Sequence, residues 1–366
     1  MDETFFMREA LAEARAAMRG GEIPVGAVVV RDEEIIGRGR NARAARSSPL
    51  AHAEIEAMRD AAKNINSWRF DGCALYVTLE PCSHYGKTPP CADLLIERGV
   101  ARCVAGMRDP NPKVDGGGFA KLEKAGIAVK AGVLEDECRW MNRGFIRRMT
   151  RGRPWVTLKI AASLDGKIAL ENGESKWITG PESRSMVHAM RAENDAVLTG
   201  IGTVLADDPQ LTVRDAPGRT PLRVILDRRL RTPLDAKILE GGGVSIFALD
   251  SAPRDKGEAL ERAGARVEYL SEDNFLADVL DKLCRDGVNY LMVEAGAGVA
   301  GAFVKAGLCD ELALFTAPKI MGRGPSFADG AAFDSMGGVP ELKIREVSRC
   351  GEDLLVRGVF ACSPDL

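Results

Sequence analysis

Short apolar strands alternate with amphipathic helices along both halves of this 366-residue chain. The first half is predicted to contain, in order, helix Thr4–Met18, strands Val25–Val30 and Glu34–Gly39, a helix from His52, strand Ala74–Leu79, helix Pro90–Arg98, strand Arg102–Gly106, helix Gly118–Lys124, strand Ile127–Ala131 and a helix from Glu135. Strands that alternate with helices bury their apolar faces in stacked layers. The first half is therefore predicted to be an α/β/α sandwich.

The second half repeats the alternation with more strands. The predicted strands are Trp155–Ala161, Ala196–Gly200, Arg223–Asp227, Val244–Leu249, Arg266–Leu270, Tyr290–Glu294 and Glu311–Thr316. The predicted helices are Glu182–Glu193, Lys256–Ala263, Phe275–Arg285 and Ala300–Ala306. Ile344–Ser348 and Leu354–Phe360 flank a turn and predict an antiparallel hairpin. The expected result is a mostly parallel sheet with an antiparallel C-terminal edge.

A basic, turn-rich segment, Arg147–Pro154, separates the two patterns. Its glycine and proline are predicted to interrupt the preceding helix. We predict two α/β domains, residues 1–148 and 149–366, each long enough for its own core. The alternative is a solvated, charged helix end inside a single domain.

The amino-acid composition limits the kinds of protein that this chain can be. Hydrophobic residues make up 45% and charged residues 28% of the chain, which is ordinary for globular proteins. No apolar run approaches the ~20 residues that span a bilayer. The net charge of −3 predicts no general attraction to nucleic acid. Nine loosely spaced cysteines favour reduced thiols in a cytoplasmic protein.

One histidine, one glutamate and two cysteines form the pattern His52-Ala53-Glu54, Pro81-Cys82 and Cys91. Imidazole and thiolate groups bind zinc, and three protein ligands leave the fourth tetrahedral position open for catalysis. Glu54 is close enough to His52 to move a proton at that position. The same order of residues is the signature of zinc nucleobase deaminases. We therefore predict a hydrolytic deaminase site.

Other interpretations of these residues stay open at this stage. Cys73 could join His52, Cys82 and Cys91 in a closed structural site, or the cysteines could be ordinary buried thiols. The usual Cys-x-x-Cys spacing is absent, because eight residues separate Cys82 from Cys91. His84, inside that spacer, is predicted to be a loop or substrate-side group rather than a ligand.

The second half carries two features that suit phosphate groups. Glycines in Gly296–Gly301 follow a predicted strand and precede a helix, so their backbone can approach a pyrophosphate. Tight packing of strand against helix explains the same glycines equally well. Arg191 and Arg214 have the planar guanidinium groups that bind phosphate, although most surface arginines are simply solvated.

Motifs from both halves resemble one known family. They are Leu79-Glu-Pro-Cys-Ser-His-Tyr-Gly-Lys-Thr-Pro-Pro-Cys91, Arg108-Asp-Pro-Asn-Pro112, Asn142-Arg-Gly-Phe145, Lys159-Ile-Ala-Ala-Ser-Leu-Asp-Gly-Lys167, Gly173-Glu-Ser-Lys-Trp-Ile-Thr179, Leu205-Ala-Asp-Asp-Pro209 and Val293-Glu-Ala-Gly296. The chain resembles the bifunctional deaminase–reductases of bacterial riboflavin biosynthesis, in which the long cysteine spacer is the usual pattern. The resemblance implies a cytidine-deaminase-like domain followed by a dihydrofolate-reductase-like domain.

The resemblance also implies two consecutive reactions on one phosphorylated pyrimidine. The first domain would remove the 2-amino group of 2,5-diamino-6-ribosylamino-4(3H)-pyrimidinone 5′-phosphate, and the second would use NADPH to reduce ribosyl to ribityl. It implies that zinc binds to His52, Cys82 and Cys91 and that Glu54 moves the proton. It implies cofactor contacts from Ala161, Trp177, Thr203, Asp207, Gly296, Ala297, Gly298, Val299, Ala300, Gly301 and Ala302. It implies substrate contacts from Ser175, Arg191, Leu211, Arg214 and Glu294.

Three positions depart from the family pattern. Glu22 and Asn41 lie in segments that look more like tRNA adenosine deaminases, and both are candidates for the base pocket. Arg228 stands where the family often has serine, and it could neutralise the 2′-phosphate of NADPH or be an exposed turn residue.

Two alternatives to the bifunctional enzyme stay open: tRNA editing by the first domain, and a non-enzymatic nucleotide-responsive module. We expect a homo-oligomer that binds neither membrane nor nucleic acid.

Overall fold

The computed structural model describes residues 2–85, 89–111, 114–214 and 216–361. It divides the chain into two compact units, and the division falls between Arg151 and Gly152. The last helix of the first unit, Arg143–Arg151, extends beyond the boundary predicted at residue 148. The segment around Arg147 is thus helical and not turn-rich. The helix ends only at Gly152, whose φ of 66° lies in the left-handed region that glycine adopts easily.

A five-stranded sheet forms the centre of the first unit. Its strands are β1 Gly26–Arg31, β2 Glu34–Arg40, β3 Ala74–Leu79, β4 Arg102–Met107 and β5 Ala128–Ala131, in the order β2-β1-β3-β4-β5. β1 is antiparallel to β2 and β3, whereas β3, β4 and β5 are parallel. The loops that follow β3 and β4 therefore leave from the same edge of the sheet.

Helices cover both faces of this sheet. They are α1 Glu3–Arg19, α2 Ala53–Ile65, α3 Cys91–Arg98, α4 Gly117–Lys124, α5 Glu135–Met141 and α6 Arg143–Arg151. A Cβ on Gly26 would lie 2.0 Å from the backbone of α1, and one on Gly39 would lie 2.1 Å from the backbone of α2. Gly39 pairs with Ala27, the neighbour of Gly26, so α1 and α2 pack on opposite faces. The predicted α/β/α sandwich is confirmed.

A nine-stranded sheet forms the centre of the second unit. Its strands are β6 Trp155–Ser163, β7 Ala196–Gly200, β8 Leu222–Leu226, β9 Val244–Leu249, β10 Ala265–Leu270, β11 Tyr290–Val293, β12 Glu311–Ala317, β13 Leu342–Cys350 and β14 Asp353–Phe360. They lie in the order β10-β9-β8-β7-β11-β6-β12-β14-β13. β14 is antiparallel to both β12 and β13, whereas the other neighbouring strands are parallel, which confirms the predicted C-terminal hairpin.

Both faces of the second sheet are apolar. The helices of this unit are α7 Pro181–Glu193, α8 Ile201–Asp207, α9 Arg254–Arg262, α10 Phe275–Arg285 and α11 Ala297–Lys305. Met292 of β11 joins one core and its neighbours Leu291 and Val293 join another, as expected for a strand buried on both sides. Within the parts of the chain described here, none of the helices combines the length and apolar character that a membrane crossing requires.

Candidate metal site and cofactor site

Three metal-binding side chains converge beyond one edge of the first sheet. His52 immediately precedes α2, Cys82 lies in the loop after β3, and Cys91 is the first residue of α3. Their ligand atoms all lie within 4.8 Å of one another. The backbone N–H of Cys91 also donates to Cys82 Sγ at 3.2 Å. One imidazole and two thiols at this separation suit a zinc ion.

The same three groups influence each other's protonation. The Cys91 thiol, and after it His52, lower the pKa of Cys82 to about 4 against the opposing effect of burial. The interaction with Cys82 raises the pKa of His52 and also that of Cys91. One thiolate is therefore present at neutral pH, and a bound cation would favour ionisation of the second thiol as well.

Cys73 and His84 are not part of this group. Cys73 precedes the six-residue strand β3 and Cys82 follows it, so the two lie at opposite ends of a strand ~20 Å long. Cys73 instead accepts a hydrogen bond from Arg31 Nε at 3.3 Å. The closed four-ligand site is therefore wrong. His84 is exposed in the loop, and Gly86, Lys87 and Thr88 of the same motif lie outside the described residues.

Glu54 lies in the first turn of α2, two residues after the histidine, and is 4% exposed. Burial raises the pKa of its carboxyl group, and the neighbouring Cys82 thiolate raises it further. A buried carboxyl group with a raised pKa beside three metal donors is suited to accept a proton and to release it again.

Glu80 was not predicted as a functional residue, although it lies in the motif that contains Cys82. Its buried carboxylate accepts hydrogen bonds from four backbone amides: Asp109, Gly116, Gly118 and Phe119, at 2.8 to 3.2 Å. These amides belong to the loop after β4 and the start of α4. Glu80 therefore fixes that loop beside the metal donors. Pro112, from the motif in the same loop, lies outside the described residues.

Glu22 and Asn41 bind backbone groups near His52. Glu22 Oε1 accepts from the amides of Ala44 and Ala45 at 2.7 and 3.1 Å. Asn41 is buried, donates to the carbonyl of Ile23 at 3.0 Å and accepts from the amide of Ala53 at 3.2 Å. Both side chains thus order the segments that lead into α2.

In the second unit, the predicted cofactor residues follow the carboxyl ends of four adjacent parallel strands. Ala161 is near the end of β6, Thr203 and Asp207 are in α8 after β7, Arg228 follows β8, and the segment Gly296–Ala302 follows β11. Crevices at this edge of an open α/β sheet are where ligands bind. Thr203 and the glycine segment meet directly, because the amide of Gly296 donates to Thr203 Oγ1 at 3.3 Å.

The glycine segment forms the start of α11, which begins at Ala297 and not at the predicted Ala300. The first amides of a helix have no partner inside it and can bind a phosphate. Arg228, Gly298, Val299 and Ala302 line one cavity of about 470 Å³. Ala300 and Gly301 are instead buried in the core side of the helix.

Trp177 follows Lys176, which forms an ion pair with Asp207. Lys176 Nζ is 3.2 Å from Asp207 Oδ1, and Trp177 itself is 65% exposed with the Arg184 guanidinium 4.5 Å from its ring centroid. Ser175, predicted to bind substrate, is half-buried in the same loop. Among the described residues, no hydrogen bond links Ser175 to the other predicted substrate residues.

Two of those residues, Arg191 and Glu294, form a charged cluster with Lys159. Arg191 donates to both oxygens of Glu294 and to the carbonyl of Thr212, and Lys159 Nζ lies 3.3 Å from Glu294. Leu211 is buried beside Thr212, and Arg214 is exposed and donates to Gln210 at 2.7 Å. The Arg191 guanidinium group is thus largely occupied by hydrogen bonds within the protein, whereas that of Arg214 is exposed to solvent.

Family comparisons match both units. Residues 1–107 match the model described as "Cytidine and deoxycytidylate deaminase zinc-binding region", and residues 154–356 match the "RibD C-terminal domain". The second match alone covers more than half of the chain.

Similar proteins match over nearly the full length. The chain is 41% identical to the riboflavin biosynthesis protein RibD of Aquifex aeolicus over 94% of both chains, and 37% identical to that of Escherichia coli over 99% of this chain and 100% of the other. It resembles the solved RibD of Acinetobacter baumannii with a TM-score of 0.86 at 37% identity, covering 98% of each chain. It resembles the diaminohydroxyphosphoribosylaminopyrimidine deaminase/5-amino-6-(5-phosphoribosylamino)uracil reductase of Thermotoga maritima with a TM-score of 0.85, at the same identity and coverage.

Proposed function

The chain belongs to the RibD family of riboflavin biosynthesis proteins, and on this premise we propose how its own residues carry out the two reactions. The protein is a bifunctional enzyme that uses Zn²⁺ and NADPH. It deaminates 2,5-diamino-6-ribosylamino-4(3H)-pyrimidinone 5′-phosphate and reduces the ribosyl group of 5-amino-6-(5-phosphoribosylamino)uracil to ribityl. The alternative of tRNA editing is not favoured.

The proposal for deamination rests on the convergence of His52, Cys82 and Cys91 within 4.8 Å beside a buried glutamate. The three side chains would hold the zinc ion and leave one coordination position for a reacting group. Zinc, when bound, supplies the Lewis acidity that lowers the pKa of water to about 7. Glu54 would accept the proton released and deliver it to the departing amino group.

The proposal for reduction rests on residues at the carboxyl edge of the second sheet. The amides at the start of α11 and Thr203 would bind the cofactor, and Arg214, with the Arg191–Glu294 pair, would bind the sugar phosphate. NADPH, when bound, supplies the hydride. The protein contributes alignment, since hydride transfer between two bound reactants requires no protein nucleophile.

A two-step assay tests both proposals. Zinc-loaded protein mixed with the diaminopyrimidine substrate is expected to release ammonia, and NADPH is expected to be consumed only after that release. The deaminated intermediate, supplied directly, should be reduced without ammonia. Metal-loaded protein that released no ammonia would disprove the assignment of the first site. Protein that released ammonia but left NADPH unchanged would disprove that of the second.

We also propose that the protein acts in the cytoplasm as a homo-oligomer. Eight cysteines in the described residues are free thiols, which suits a reducing compartment. β13 is an edge strand, and its apolar residues Ile344 and Val347 are 51% and 64% exposed. A second copy of the chain would cover this surface. Light scattering on the wild-type protein and on Val347→Lys tests the proposal, and a wild-type monomer would contradict it.

A further inference from the structure

His188 is a buried histidine to which neither of the two reactions yet assigns a role. It lies in α7, one turn before Arg191, and is 7% exposed. Residues three apart in a helix lie on the same side of it, so His188 and Arg191 face the same neighbouring segment. That segment comprises residues 211–214, and it includes Leu211 and Arg214, which were predicted to contact the substrate.

The 211–214 segment has little support from its own backbone. It forms neither a helix nor a strand, and among the residues that the structure describes, none makes a backbone–backbone hydrogen bond to it. Leu211 has a φ of 51°, in the left-handed region that a bulky residue rarely adopts. Such a conformation persists only where the surrounding structure holds it in place. The side chains that contact this segment therefore determine where Leu211 and Arg214 lie.

Two side chains of α7 make such contacts. Arg191 Nη1 donates to the carbonyl oxygen of Thr212 at 3.1 Å, and His188 Nδ1 lies 3.1 Å from the same oxygen. The amide nitrogen of Arg214 lies 3.4 Å from His188 Nδ1. The Nδ1 atom donates to Thr212 when it carries a proton and accepts from Arg214 when it does not. In either form the imidazole ring holds the backbone that carries the Arg214 side chain.

We infer that His188 is a positioning residue of the reductase, which holds the Arg214 guanidinium group where the sugar phosphate binds. The inference rests on the proposed function, which assigns the phosphate to Arg214 together with the Arg191–Glu294 pair. Arg214 is exposed, and the side chains to which it donates, Gln210 and Thr212, are its neighbours in sequence. Its place in the site therefore depends on its backbone. Without the imidazole ring, the segment would be ordered only on binding of the phosphate, at an entropic cost.

Steady-state kinetics of the full-length, zinc-loaded protein with NADPH and the deaminated intermediate test this inference. His188→Leu keeps a similar volume but removes the hydrogen-bonding nitrogen. It should raise KM for the intermediate about tenfold and leave kcat within about twofold of the wild type, because binding is weakened and the chemical step is not. His188→Asn places an amide near the position of Nδ1 and should restore most of the affinity. Neither variant should change KM for NADPH or the rate of ammonia release.

A double variant shows whether the effect passes through Arg214. Arg214→Gln alone should raise KM for the intermediate, and the addition of His188→Leu should raise it little further, because the group that His188 positions is already absent. Independent effects would multiply instead. The control is Val187→Ala, at the preceding buried position of α7. It should lower thermal stability by removing buried methyl groups but leave KM unchanged.

Three results would overturn the inference: a normal KM in folded His188→Leu, multiplication of the two effects in the double variant, or an equal rise of KM in Val187→Ala. Thermal unfolding checks the fold. If His188→Leu is not folded, His188→Gln replaces it and should also raise KM, because its longer side chain moves the amide away from the position of Nδ1. A normal KM in Arg214→Gln would refute the proposed phosphate site, whereas a raised KM there beside normal His188 variants would refute this inference alone.

Discussion

The guanidinium group of Arg191 donates two hydrogen bonds to the carboxylate of Glu294, from Nε at 2.7 Å and from Nη2 at 3.0 Å. The two residues are 103 positions apart and join α7 to the end of β11. Burial raises the pKa of Glu294, but Lys159 and Arg191 together outweigh burial and hold it at about 2. The carboxylate is therefore ionised at neutral pH.

Glu294→Gln should destabilise the second unit by about 3 kcal/mol at neutral pH, because it leaves two largely buried cations, Lys159 and Arg191, without their counter-ion. The folded-state pKa of Glu294 is below the ordinary value of 4.5, so the wild-type pair stabilises the fold above that pH and loses its contribution as the pH falls towards 2. Hydrogen exchange of the β11 amides measures both effects. Glu272→Gln, at a side chain that is 74% exposed, should change neither. An equal loss in that control would contradict the buried-pair explanation.

Glu54→Gln should retain zinc and lose deamination by about a hundredfold or more, which is the usual contribution of a general acid–base group. The amide keeps the shape of the side chain but cannot accept the proton. Metal analysis and ammonia release measure the two properties, and reduction of the deaminated intermediate shows that the rest of the protein works. Glu56→Gln on the same helix removes a buried carboxylate that pairs with Arg46 and Arg59, and it should leave turnover intact.

Removal of zinc should abolish ammonia release from the diaminopyrimidine but leave NADPH oxidation unchanged when the deaminated intermediate is supplied, because the predicted ligands all belong to the first unit. Cys82→Ser should have the same effect through loss of a thiolate ligand. Cys73→Ser is the matched control, since it replaces a buried thiol at the opposite end of β3. Equal metal loss in both cysteine variants would contradict the assignment of His52, Cys82 and Cys91 as the three ligands.

Glu80→Gln should slow deamination without affecting reduction. In the wild type, four backbone amides donate to the two carboxylate oxygens of Glu80, whereas glutamine offers them only one carbonyl oxygen. Each amide left buried without an acceptor costs roughly 1–3 kcal/mol. We expect faster hydrogen exchange at Gly116, Gly118 and Phe119 and a lower kcat/KM for the diaminopyrimidine. Zinc content should stay near that of the wild type. Unaltered exchange at these amides would show that Glu80 does not hold the loop.

The apolar pattern predicted most strands because parallel strands are buried on both faces and so form continuous apolar runs. β7, Ala196–Gly200, has the predicted bounds. The next helix, α8, was not predicted. It has seven residues, only Val204 is buried, and Gly202 and Thr203 are poor helix formers, so no periodic signal exists.

The metal donors were accessible to sequence analysis because His52 and Glu54 form a local pattern, and because imidazole and thiol groups have few other uses together. The role of Glu80 was not accessible. Its partners are backbone amides 29 to 39 residues away. Every residue except proline has such an amide, so the residue type does not show which amides donate to Glu80. Ion pairs between distant elements, such as Arg191 with Glu294, are hidden for the same reason.

Two alanine variants separate the explanations that the sequence left open for the glycine segment. A Cβ on Gly301 would lie 2.4 Å from the backbone of Gly330, so Gly301→Ala forces the two segments apart and should destabilise the second unit by about 1–3 kcal/mol. A Cβ on Gly298 would meet nothing within 4 Å. Gly298→Ala should therefore leave thermal stability unchanged but weaken NADPH binding, because the methyl group would enter the cavity beside the first amides of α11. Cofactor titration and thermal unfolding of both variants measure the difference. Normal NADPH affinity in Gly298→Ala would leave packing as the only reason for these glycines.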